Sequence, residues 1–132
     1  MAKIKMNKII TTLGVTVTVF FSSVSTGWSG DFFKGVAAYK AGNYAIALQE
    51  WKPLAEKGHV SAQYNLSLMY ALGHGIIQDH VYAHLWSNIA ASSGHKNATA
   101  NRDVIAKRMS ASQLEKAQEL ARECVKKQYK GC

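Results

Sequence analysis

The chain has 132 residues, with 16 Lys and Arg against 8 Asp and Glu, and a formal net charge of +8. That length holds one domain plus a tail and excludes a large multidomain enzyme. At 48% hydrophobic and 18% charged the composition is not that of a disordered chain, and 2 Cys exclude a disulfide-dense mini-fold or an all-cysteine zinc site.

Residues 1–27 read as a cleavable secretory signal. Lys3, Lys5 and Lys8 make a cationic start without acids, residues 9–25 carry no charge, and Ser23, Ser25 and Gly27 supply a small-residue cleavage zone. A permanent anchor fits less well, because Thr11, Thr12, Thr16, Thr18, Ser22 and Ser23 dilute the apolar stretch. The alternation of Val15, Val17 and Val19 with threonines also suits a strand, but no second strand follows to pair with it. Cleavage would leave a mature chain of roughly 105 residues.

Helical segments follow, each stopped by glycine: Asp31–Ala41, Tyr44–Lys57, Val60–Leu72 and His80–Ser93. Their apolar residues recur every three or four positions, and a glycine just past each supplies a left-handed stop. Asp79 is placed to cap the fourth segment. Pro53 sits inside the second, where it removes a backbone bond and predicts a kink. The second and fourth segments align at an offset of 36, pairing Ala47 with Ala83, Gly58-His59 with Gly94-His95 and Ala62 with Ala98. The first and third align at an offset of 31, pairing Tyr39 with Tyr70 and Gly42 with Gly73. Such a period is the mark of stacked helix pairs. An apolar face continues through Val104, Ile105 and Met109. Ser110 and Gln113 then form a capping box for a last helix from about Ala111 to Lys127. That helix has one apolar face and one charged face, as the open end of a stack requires.

The run from Ala62 to Gly94 resembles one unit of the Sel-like repeat family, a branch of the tetratricopeptide-type helical repeats. The resemblance rests on Ala62, Leu66, Tyr70, Gly73, Gly75, Asp79, Ala83, Trp86, Ala90, Ala91 and Gly94. Residues 31–61 are closer to a plain tetratricopeptide unit. Ser67 stands where the family usually has glycine, which predicts a slightly loosened approach of two helices. The implied fold is all-α, a short right-handed superhelical solenoid of antiparallel helix pairs over 28–109, with a capping helix and basic tail over 110–132. The resemblance implies protein or peptide binding on the concave face made by the first helix of each pair. Mapped here, the groove candidates are Phe33, Lys40, Tyr64, Leu68, Val104 and Lys107, while Trp51, Tyr70 and Trp86 belong to the core.

Cys124 and Cys132 are eight apart and form the only intramolecular disulfide open to this chain. Two separate thiols, or pairing with another chain, are the alternatives. The same spacing occurs in the cysteine-rich branch of the family. Some members of that branch carry a β-lactamase label, and Ser93-Gly94-His95-Lys96 has the S-x-x-K pattern. That makes a β-lactam-acting or other hydrolase the alternative to a non-catalytic scaffold, but no S-D-N or K-T-G follows. His80 and His84 share a helical face, yet no third ligand is in view, so they read as solvated surface and no metal or cofactor is expected. Asn65-Leu-Ser67 and Asn97-Ala-Thr99 match the glycosylation pattern by chance.

Charge is unevenly placed. The three lysines of the signal leave with it. Residues 31–95 hold four lysines and four acids, and residues 96–132 hold nine basic residues and four acids. The expected product is a neutral scaffold with a basic end, located in the periplasm or secreted. Export argues against a nucleic-acid partner, whereas the basic end suits an acidic protein or an anionic membrane surface.

Overall fold

Local signals set where each helix starts and stops. In the computed structural model, which describes residues 30–132, the helices are α1 (Phe32–Lys40), α2 (Tyr44–Glu56), α3 (Val60–Leu72), α4 (His80–Ser92), α5 (Ala98–Ala106) and α6 (Ala111–Lys126). The proposed signal lies outside the described residues. Asp31 caps α1 by accepting the Lys34 N–H at 3.0 Å. His59 caps α3, its Nδ1 accepting the Ala62 N–H at 3.2 Å. Asp79 caps α4, accepting from Val81 at 2.8 Å and Tyr82 at 3.1 Å. The capping box on α6 is complete: Gln113 N–H donates to Ser110 Oγ, and Ser110 N–H donates back to Gln113 Oε1. Gly73 closes α3 in the left-handed region at φ 70°, where a Cβ would be strained.

Each helix packs on the next through α5, and α6 turns back to pack on α4. The fold is therefore all-α among the described residues. Val104 and Ile105 belong to the separate helix α5, set off by the turn after Gly94. The core is built from Trp51 and Ala55 of α2, Ala62, Leu66 and Met69 of α3, Leu85, Trp86 and Ile89 of α4, and Ala121 and Cys124 of α6. Tyr70 packs on it half-buried. Alanine recurs at the contacts because a small side chain lets helix backbones approach. The repeat-matched residues Ala47, Ala83, Ala62 and Ala98 are all wholly buried.

Polar ties join the helices. Glu50 of α2 is buried, pairs with Lys34 Nζ at 2.6 Å and accepts the Asp31 N–H at 2.8 Å. Lys34 first, then the Asp31 N–H, hold this carboxylate below its ordinary range. Trp51 Nε1 donates to the Phe32 carbonyl at 3.1 Å. Gln63, fully buried on α3, donates to the Ala55 carbonyl near the end of α2.

The cysteines are joined. Cys124 and Cys132 form a disulfide with their Cα atoms 5.7 Å apart. The tail folds back over α6 through left-handed Gln128 and Tyr129, and the Tyr129 N–H donates to the Cys124 carbonyl at 2.8 Å. The Tyr129 ring packs against the core beside Gly58, in the turn between α2 and α3.

No helix among the described residues is long and apolar enough to cross a membrane.

Candidate functional site

Helices α1, α3 and α5 carry two neighbouring cavities that share Leu68. The first has a volume of about 220 Å³ and is lined by Val36, Tyr39 and Lys40 of α1, Trp51 of α2, and Asn65 and Leu68 of α3. The second has a volume of about 140 Å³ and is lined by Leu68, Ala71, Leu72, His80, Asn101, Val104, Ile105 and Arg108. Both have apolar walls and a carboxamide, Asn65 in one and Asn101 in the other. Both also have a cationic residue, Lys40 in one and Arg108 in the other. No carboxylate lines either. Asn65 and Asn101 are themselves 36 apart, the offset of the sequence repeat.

Of the groove candidates, the structure brings Lys40, Leu68 and Val104 to these cavities. Phe33, Tyr64 and Lys107 lie outside both linings. Phe33 is 80% exposed and packs its edge on Phe32. Tyr64 is half-buried because it stacks on His95 at 4.2 Å. Lys107 is exposed past the end of α5. Val36, Tyr39, Asn65 and Asn101 were missed. The offset of 36 between the two asparagines was a usable signal for that pair.

Asn101 is held by a polar triangle that joins three helices. Its Nδ2 donates to Ser67 Oγ at 3.0 Å and to Ser87 Oγ at 2.8 Å. Ser87 Oγ donates to Ser67 Oγ at 2.8 Å, and Ser67 Oγ donates to the Tyr64 carbonyl at 2.9 Å. Ser67 and Ser87 are wholly buried. Ser67 thus bonds α3 to both α4 and α5, where the sequence reading expected it to loosen a contact. With Nδ2 engaged, Oδ1 is the Asn101 atom left to accept a hydrogen bond at the cavity.

The histidine pair on α4 differs from expectation as well. His84 is only 3% exposed, not solvated surface, because α4 is covered by α3, α5 and α6. Burial first, and the Arg102 charge next, hold its pKa below the ordinary value, against a weaker opposite pull from Asp103. His80 is half-buried in the second cavity, and its Nε2 has no hydrogen-bond partner among the described residues. No group of three metal-ligating side chains occurs among the described residues. His59 and His95 are turn residues that each stack on an aromatic, His59 on Phe32 at 4.8 Å and His95 on Tyr64. His74 repeats the device, stacked on Tyr44 at 4.2 Å with Nδ1 2.8 Å from the Tyr39 hydroxyl.

Ser93 is the C-cap of α4, and both it and Lys96 are exposed. Neither lines any of the cavities described here. The basic end supplies Arg122 and Lys126 to a further cavity of about 360 Å³ between α4 and α6, with Ile89, Ala121 and Val125 as its apolar part.

No protein-family profile matches the chain, and no solved structure matches it. Among curated proteins, a stretch of 62 residues is 42% identical to a protein named exopolysaccharide production negative regulator, from Rhizobium leguminosarum bv. viciae. The match takes in 46% of this chain and 23% of that protein, so the chain spans less than a quarter of this relative's length.

Proposed function

We propose that this chain is an exported, non-catalytic helical-repeat scaffold of the Sel-like type. In this reading its helix pairs form a short right-handed solenoid, and an extended peptide segment of a partner protein lies across α1, α3 and α5. The observation that carries the reading is the pair of adjacent cavities sharing Leu68, each an apolar slot with one carboxamide and one cation. Apolar anchors seated in preformed slots supply affinity, and flanking polar groups supply register. The internal disulfide fits a periplasmic or secreted location. The relative's name is that of a regulator, which suits recognition, and it makes control of exopolysaccharide production a process in which to seek the partner.

Affinity capture from the envelope fraction tests this, comparing mature protein with the Leu68→Ala plus Val104→Ala variant. The expected result is a partner retained by the first and lost by the second. An identical set of captured proteins would remove the groove from the account.

A further inference from the structure

The second cavity is chemically more specific than the first. Its walls at Leu68, Leu72 and Val104 are apolar, and its volume of about 140 Å³ is several times that of a water molecule. His80 and Arg108 stand at it beside Asn101. His80 Nε2 is buried without a hydrogen-bond partner, and Arg108 makes no ion pair among the described residues. No acid lines the cavity to satisfy either one. Buried polar atoms are normally hydrogen-bonded, so the orphaned imidazole nitrogen of His80 marks where an acceptor is lacking, and the exposed Arg108 lines the same cavity.

Building on the peptide-binding reading, we propose that this cavity anchors an acidic side chain and its leucine-sized neighbour from an extended peptide. The carboxylate accepts from the Arg108 guanidinium and from the His80 Nε2–H. The apolar side chain fills the slot between Leu68 and Val104. Asn101 Oδ1, the acceptor left once Nδ2 is engaged by Ser67 and Ser87, accepts a backbone N–H of the peptide. Charge complementarity selects this occupant over a neutral apolar segment, since the lining offers positive charge and no negative charge.

The test uses the whole disulfide-bonded chain, with NMR of the Leu68 and Val104 methyls and the His80 ring. The probes are acetyl-Leu-Glu-Leu-amide and its neutral counterpart acetyl-Leu-Gln-Leu-amide. The glutamate peptide should shift all three groups and bind about tenfold more tightly than the glutamine peptide. Arg108→Gln and His80→Phe should each bring it to the level of the glutamine peptide. Arg108 is exposed, so its replacement leaves the fold intact. Equal binding of the two peptides, with the methyls shifted, would overturn the carboxylate site and leave the groove standing. Methyl shifts from neither peptide at millimolar concentration would overturn both.

Discussion

Ser67→Gly tests the role assigned to the polar triangle. Removing the Ser67 hydroxyl takes away the acceptor used by Ser87 Oγ at 2.8 Å and one of the two used by Asn101 Nδ2. Asn101 keeps Ser87 as a partner, whereas the Ser87 hydroxyl is left buried with its donor unpaired. A net hydrogen bond contributes about 1 kcal/mol, and a stranded buried donor costs about 1–3 kcal/mol. Glycine inside a helix adds about 0.5 kcal/mol relative to serine. The expected loss is about 3 kcal/mol, or a fall in Tm on the order of 15 °C for a domain of this size. Thermal and urea unfolding followed by circular dichroism, with the disulfide intact, measure it. Ser67→Ala should give most of the effect, and its coupling to Asn101→Ala should be about 1 kcal/mol. If Ser67→Gly is as stable as the native chain or more so, the triangle is not a stabilising bridge and serine only spaces the helices.

Three further outcomes follow from the structure. His84 is held below its ordinary pKa by burial, so the unfolded chain binds more protons. Stability should therefore be complete above about pH 6.5 and fall as the pH drops toward the folded value. In melts from pH 7 to 5, His84→Phe should flatten this slope; an unchanged slope refutes the assignment. Reduction of Cys124–Cys132 should cost about 2–3 kcal/mol, as expected for closing so short a loop. Alkylation should then add two labels only after reductant, and two labels without it would contradict the bond. At Gly75, a Cβ would lie 2.9 Å from the Tyr44 backbone at φ 72°, so Gly75→Ala should lower stability by about 2 kcal/mol, measured by urea unfolding.

Much of the fold was legible because it is written in local signals. Glycine stops, the cap at Asp79, the box at Ser110 and Gln113, and the apolar period all act within a turn or two of chain. Trp51 and Trp86 read correctly as core because large apolar side chains on an amphipathic face have nowhere else to go. Errors arose where a residue's surroundings come from distant elements. His84 looked like surface on its own helix, but α3, α5 and α6 all pack against that helix. Tyr64 looked free for a ligand, but the turn after α4 delivers His95 onto its ring. The triangle joins residues 67, 87 and 101, and no local pattern announces that three polar side chains will meet in one buried place.

The central claim is that the face of α1, α3 and α5 is where a partner binds. A photo-crosslinking amino acid placed singly at Leu68, Val104 and Ile46 tests it most directly, in cells that export the protein. Ile46 is exposed on α2 and lines neither cavity. One discrete adduct is expected at both positions 68 and 104, absent at 46, and lost from position 104 when Leu68 is replaced by arginine. An adduct from position 46 with none from 68 or 104 would contradict it.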